Sequence, residues 1–209
     1  MFNKLPSLSS VENPVSLALI TGATGGLGKA FALECAMRGW DLYLTDVNEE
    51  ALETLSKSLC RIYHVRVYYQ ACNLADPDSR EIFFKEVENY SGLFTCLINV
   101  AGLDYEGIFT QQSREHLSTI VRLNVENTLN LTHRMLQLRD PILPFRIINV
   151  ASLAAFYPMP VKATYAASKR FLLDFSLALR EELRSSGASV TVLCPAGMPT
   201  TQLNMDAIE

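Results

Sequence analysis

Residues that bind metals are scarce in this chain of 209 residues. Its three histidines, His64, His116 and His133, are scattered. Its five cysteines, Cys35, Cys60, Cys72, Cys96 and Cys194, include no CxxC pair. An odd, dispersed set argues against both a zinc site and a disulfide framework. No metal is expected, and the thiols read as small hydrophobes in a reducing compartment. Charge of one sign is also missing: 18 Lys and Arg stand against 22 Asp and Glu, with no basic run. No nucleic-acid partner is expected. No apolar stretch approaches the ~20 residues of a membrane helix, the run 15–20 falling far short. Residues 1–14, MFNKLPSLSSVENP, carry polar residues and two prolines where a signal peptide needs an unbroken apolar region. These absences predict a soluble, cytoplasmic protein with no membrane span. Residues 1–14 read as an N-terminal extension and 15–209 as one domain, the length being too short for two comfortable ones.

What is present is a regular alternation. Short apolar runs, VSLALIT (15–21), DLYLTD (41–46), VRVYYQA (65–71), FTCLINVAG (94–102), FRIINVAS (145–152) and SVTVLCP (189–195), read as six strands. Between them lie helical patterns. In 27–39, Leu27, Ala30, Phe31 and Cys35 recur at helical spacing before Gly39; in 49–63, Leu52, Leu55 and Leu59 form one stripe. One long helix is expected over roughly Arg114 to Leu138, and another from Thr164 to Gly187. Strand–helix alternation predicts an α/β fold: a single doubly wound, Rossmann-type parallel sheet with helices on both faces.

In such sheets ligands bind beyond the carboxyl ends of the strands. The first of these ends reads TGATGGLG, Thr21 to Gly28. Its glycines permit a tight turn and a close approach to a pyrophosphate, and the following helix points free N–H groups at the anion. No Gly-Lys-Ser/Thr follows, so it is not the phosphate loop of an NTPase. The second strand ends in Asp46, 18 residues after Gly28. A carboxylate there can accept both ribose hydroxyls of NAD and repels the 2′-phosphate of NADP, so NAD is the expected cofactor. The same residue could instead cap the next helix, and both roles can coexist. Farther on, Tyr165 and Lys169 stand four residues apart at the start of a helix, on nearly one face. Chance alone supplies roughly 0.2 such pairs in this composition, so the pair means little without its context.

Together these stretches resemble the short-chain dehydrogenase/reductase family over nearly the whole chain. TGATGGLG matches its cofactor turn, INVAG (98–102) resembles its N-N-A-G strand end, and Asn124 fits the asparagine of its long helix. Ser152 fits the family serine, YAASK supplies the Tyr-x-x-x-Lys signature 13 residues later, and PAGMPT resembles the turn that holds the nicotinamide. The resemblance implies a catalytic set of Asn124, Ser152, Tyr165 and Lys169. It further implies cofactor contacts from Gly22, Thr24, Gly25, Gly26, Leu27 and Gly28 in the first turn, and from Asp46, Asn73 and Leu74 on the adenosine side. Asn99, Ala101, Gly102, Tyr165, Lys169, Pro195, Gly197, Met198 and Thr200 would complete them. Tyr165 would exchange the hydroxyl proton, its pKa lowered by Lys169 together with the positively charged nicotinamide of NAD⁺; Lys169 would also bind the nicotinamide ribose. Ser152 would bind the substrate oxygen, and Asn124 would anchor a relay water. Taken singly, Ser152 could merely end a strand, Asn124 could bond a neighbouring backbone, and Tyr165 could be packing.

The sequence departs from the family pattern at Asn73, Val100 and Ala196, and only TQLNMDAIE follows Thr200, where the family carries a substrate loop and a last strand. Leu103, Tyr105, Phe156, Tyr157 and Met198 are expected around the substrate, which suits a bulky hydrophobic ketone or secondary alcohol. FYPMP and the helix after Lys169 resemble the hydroxysteroid dehydrogenases and long-chain 3-ketoacyl reductases. An NADPH-linked ketoacyl reductase and a non-catalytic dinucleotide-binding protein are the rival readings. Leu129, Leu136, Leu173 and Leu177 on the last two long helices are expected to build a homodimer or homotetramer, as pairing of these helices in the family implies.

Overall fold

The computed structural model describes residues 16–90 and 92–197. The expected extension 1–14, Met198 and Thr200 lie outside them. Six strands, β1 (Leu17–Thr21), β2 (Asp41–Asp46), β3 (Val67–Ala71), β4 (Cys96–Asn99), β5 (Phe145–Val150) and β6 (Ala188–Leu193), form one parallel sheet in the order β3-β2-β1-β4-β5-β6. The chain builds outward from β1 in one direction, returns, and builds outward from β4 in the other. The reversal leaves a crevice at the carboxyl ends of β1 and β4, as the alternation predicts.

The sheet has two apolar faces because successive strand residues point to opposite sides. Leu17 and Leu19 join Phe83, Phe84, Leu131, Met135 and Phe145 in one core, while Ala18 and Ile20 join Ala32, Cys35, Leu42, Leu52 and Ile98 in the other. Helices α1 (Gly26–Met37) and α2 (Glu49–Tyr63) cover the second face; α3 (Pro77–Asn89) packs on the first. Cys35, Cys72 and Cys96 are buried, whereas Cys60 and Cys194 are half-buried, and all five are free thiols. No helix of the described residues is long and apolar enough to cross a membrane.

The helix expected over 114–138 is not uniform. It comprises α4 (Arg114–Val121), six residues of π-helix (Arg122–Asn127) and α5 (Thr128–Gln137). A π segment accommodates extra residues within a continuous helix and leaves no mark in apolar spacing. The two asparagines inside it, Asn124 and Asn127, are both buried. The last helix, α6 (Ala163–Glu182), carries Tyr165 and Lys169 on its first turns.

β4 and β5 are also joined through side chains. Asn99 and Asn149 are register partners, and the Asn99 amide donates to Asn149 Oδ1 at 2.8 Å and to Thr132 Oγ1 at 3.3 Å. Asn149 in turn donates to Ser176 Oγ at 2.9 Å, tying α5, the sheet and α6 into one buried polar chain.

Candidate active site

The crevice is a cleft of about 1250 Å³ beyond the strand ends. Gly22, Thr24, Gly25, Gly26, Leu27 and Gly28 form one wall. Gly22 adopts a left-handed φ of +63°, and a Cβ on it would lie 2.9 Å from the Ala101 backbone. A Cβ on Gly28 would stand 2.0 Å from the Gly22 carbonyl oxygen, so the turn closes on itself only with glycine there. No side chain caps α1, and its first turn has no acidic residue, so its N–H groups face the cleft as an anion-binding end.

Asp46 lines the same wall. Its Oδ2 accepts from the Thr24 amide at 2.9 Å and its Oδ1 from the Val47 amide at 2.7 Å. The alternative role as a helix cap belongs elsewhere: Asn48 caps α2, accepting from the Ala51 amide at 3.0 Å. Asn73 and Leu74 continue the wall. The Asn73 side-chain Oδ1 accepts from Ala75 N at 3.1 Å, closing an Asx turn. Below this loop, buried Arg80 donates to the Leu74 carbonyl and pairs with Glu126 of the π segment.

At the far end of the cleft stand Ser152, Tyr165 and Lys169. One helical turn brings the Lys169 ammonium to 5.8 Å from the Tyr165 ring centroid. Lys169 is buried and donates to the Val150 carbonyl at 2.9 Å. Burial pulls its pKa from the ordinary 10.5 down to about 8. Without dinucleotide, Lys169 by itself does not lower the Tyr165 phenol pKa. Burial pushes it above the ordinary range; the Ser152 hydroxyl opposes this, Asp104 adds to it, and Lys162 acts against it. Desolvation outweighs the nearby cations. Ser152 Oγ also accepts from the Ala154 amide at 3.1 Å, opening the short turn Leu153–Phe156.

The sequence profile of the short chain dehydrogenase family matches residues 16–209. The chain belongs to that family. It is 31% identical over 194 residues to a sulfoacetaldehyde reductase 2 of Chromohalobacter salexigens, covering 90% of this chain and 75% of that one. A very-long-chain 3-oxoacyl-CoA reductase of Pyricularia oryzae is 35% identical over 192 residues, covering 88% and 56%. The chain thus spans little more than half the length of that fungal relative. A short-chain dehydrogenase from Sphingobium yanoikuyae, solved in complex with NADPH, superposes with a TM-score of 0.80 at 28% identity, covering 88% and 72%.

Within this short-chain dehydrogenase, Ala101, Gly102, Pro195 and Gly197 line the cleft as expected, and Met198 and Thr200 fall outside the described residues. Asn99 does not line it. Its position at the end of a strand buried on both faces directs its amide into the polar chain beneath. Asn124 does not line it either, and its side chain is fully engaged. Oδ1 accepts from Leu103 N at 2.8 Å, while Nδ2 donates to Leu103 O at 3.0 Å and Ser168 Oγ at 2.9 Å. It braces the strand-end loop, the backbone role weighed for it above.

The expected substrate residues need a larger correction. Tyr157 lines the cleft, but Leu103, Tyr105 and Phe156 do not. The extended chain after β4 alternates sides, so Gly102 and Asp104 face inward while Leu103 is held by Asn124. Tyr105 turns against His116, their ring centroids 4.5 Å apart, and Phe156 is half exposed. The other inward positions belong to Met159 of the FYPMP stretch and to Asp104, Leu123, Leu153 and Lys162, which the sequence does not single out. The Lys162–Asp104 pair left no signal, its partners being 58 residues apart.

Proposed function

We propose that this chain is a nicotinamide-dependent oxidoreductase acting on a carbonyl/secondary alcohol pair, with Tyr165 as the proton donor and acceptor. The observation that carries the reading is convergence. One cleft holds an uncapped helix N-terminus and a ribose-directed carboxylate at one end, and Ser152, Tyr165 and Lys169 at the other. The residues present fit a dinucleotide: the glycine turn admits a pyrophosphate, and Asp46 can accept from ribose hydroxyls through lone pairs its backbone contacts leave free. When bound, the nicotinamide supplies or accepts the hydride.

The chain's own residues then have separable tasks. In the reducing direction the Tyr165 hydroxyl donates its proton to the substrate oxygen, and in the oxidising direction the phenolate takes it back. Ser152 Oγ donates a hydrogen bond to that same oxygen, steadying the charge that develops on it. The Lys169 ammonium, fixed by the Val150 carbonyl, stands where it can bond the nicotinamide ribose. Asn124 holds the Leu103 backbone and would anchor a relay water.

NAD(H) is the cofactor we favour. Asp46 would repel a 2′-phosphate, and among the described residues lining the cleft the only Lys or Arg are Lys162 and Lys169, at the opposite end. The likeness to an NADPH-bound dehydrogenase and to a 3-oxoacyl-CoA reductase supports the second reading, an NADPH-linked ketoacyl reductase. Leu123, Leu153, Tyr157 and Met159 give the substrate end an apolar lining suited to a bulky ketone. We also infer self-association through α4 and α6. Of the leucines named for it, Leu173 is buried within the chain and Leu177 is exposed; an apolar groove lined by Val121, Val125, Ala167 and Phe171 lies between these helices. A dimeric or tetrameric mass is expected.

The test is loss of reduced-nicotinamide absorbance with NADH and NADPH side by side. Hydrophobic ketones, ketosteroids, ketoacyl thioesters and sulfoacetaldehyde form the panel, with Tyr165→Phe as the blank. A rate with NADH that Tyr165→Phe abolishes is expected. Tight NADH binding with no rate dependent on Tyr165 would replace the reading with that of a dinucleotide-binding protein.

A further inference from the structure

Tyr165 has a second ammonium beside it. Lys162, one residue ahead of α6, places its Nζ 5.7 Å from the Tyr165 ring centroid, essentially the separation of Lys169. It is not a mobile surface lysine: its side chain is 21% exposed, against 73% for Lys57. Nζ donates to Asp104 Oδ2 at 2.8 Å and lies 3.6 Å from Glu106 Oε2. The backbone beneath it is held as well. Gly107 N donates to Val161 O at 2.7 Å, Lys162 N donates to Met159 O at 3.2 Å, and Val161 adopts a φ of +59°. A β-branched residue takes that conformation only where its surroundings enforce it.

The groups around the phenol can be named element by element. From α6 come Lys162 at its start and Lys169 one turn on. The loop after β4 contributes Asp104, with Glu106 behind Lys162, and the end of β5 contributes the Ser152 hydroxyl. Past β6, Cys194 acts on Lys169. From the α4 side, Tyr105, packed on His116, shares a small cavity with Tyr165. Among these, only Lys162 is a cation with a carboxylate partner at hydrogen-bonding distance.

We propose that Lys162, held in place by Asp104, is a positioning residue that lowers the proton affinity of the buried Tyr165 phenol. The two lysines differ in how long they keep their charge. Burial makes Lys169 release its proton near pH 8, whereas the Asp104 carboxylate holds Lys162 above the ordinary lysine range. In the dinucleotide-free protein, Lys162 therefore keeps its charge to higher pH than Lys169 does. Asp104 has two opposed effects, anchoring that cation and placing a negative charge near the phenol.

The inference rests on Tyr165 as the proton-transfer residue, but its test needs no turnover, so the two readings fail separately. Protein carrying [13Cζ]tyrosine is titrated by NMR without dinucleotide, the Tyr165 resonance being assigned by its loss in Tyr165→Phe. Lys162→Met is expected to move the Tyr165 midpoint up by roughly one unit, from a unit charge at this separation in a half-wet site. Asp104→Asn is expected to move it down, and Lys162→Arg to keep it near the parent. A downward movement in Lys162→Met, or an upward movement in Asp104→Asn larger than that in Lys162→Met, would mean a disturbed site and would overturn the proposal. So would a midpoint unmoved by Lys162→Met while the other tyrosine resonances keep their positions.

Discussion

Replacing Lys169 by methionine should stabilise the protein while removing its chemistry. Lys169 is buried, with its pKa pulled from 10.5 to about 8. At pH 7 it is charged in both the folded and unfolded chain, but the folded environment disfavours that charge. A depression of this size corresponds to about 3 kcal/mol against the folded state. Methionine fills a similar volume without the charge. Against the gain stands the Val150 carbonyl, which loses its 2.9 Å donor at a cost of about 1–2 kcal/mol. A net gain of about 1–2 kcal/mol remains, worth roughly 3–6 °C in Tm for a chain of this size. The sign reverses with pH. Between pH 8 and 10.5 the unfolded chain binds more protons at this position than the folded one, so the parent gains stability as pH rises through that window. The advantage of Lys169→Met should be nearly full below about pH 8, shrink through pH 9 and give way to a small disadvantage by pH 10. Thermal unfolding followed by circular dichroism at pH 7, 8, 9 and 10 reads this directly. Dinucleotide must be absent, since a bound ligand would raise the parent's Tm by mass action. A variant less stable than the parent at pH 7, or a Tm difference that stays constant from pH 7 to 10, would refute the reasoning.

Asp46→Ala should weaken NADH binding and narrow the preference for NADH over NADPH by roughly tenfold, about 1.4 kcal/mol, in paired fluorescence titrations; an unchanged ratio would remove Asp46 from cofactor choice. Asn99→Ala should lower stability by about 1–3 kcal/mol in urea unfolding, because it leaves buried Asn149 without a donor. Its dinucleotide affinity should stay near the parent's, since Asn99 faces the interior; a selective loss of binding would return Asn99 to the cleft.

Much of the fold was legible because its central strands, β1, β2 and β4, are buried on both faces. Leu17–Thr21 and Cys96–Asn99 are apolar runs bounded by turns, and such runs separated by helical patterns leave few arrangements open. The Tyr165–Lys169 pair and Asp46 were legible because a helical turn and a strand end fix direction locally. The π segment at Asn124 was not, since an extra residue in a helix changes hydrogen bonding without changing composition. Nor were the directions of Leu103 and Asp104, which depend on the grip of Asn124 from 21 residues away. The same limit hid Lys162. As a lone lysine before a helix it reads as solvated surface, and only the folded loop brings Asp104 to it.

The Asn99–Asn149 contact has a consequence for how this framework tolerates change. Parallel strands that are greasy on both sides have little to tell one alignment from the next, because a slide by one residue exchanges one apolar face for another. Here a slide would pull two amides out of mutual reach and leave both stranded in a dry interior. The pair acts as an alignment key, and it lies two residues before Ala101 on one strand and three before Ser152 on the other. Loops beyond those points can be lengthened, shortened or exchanged while the spacing between cofactor wall and serine stays set from below.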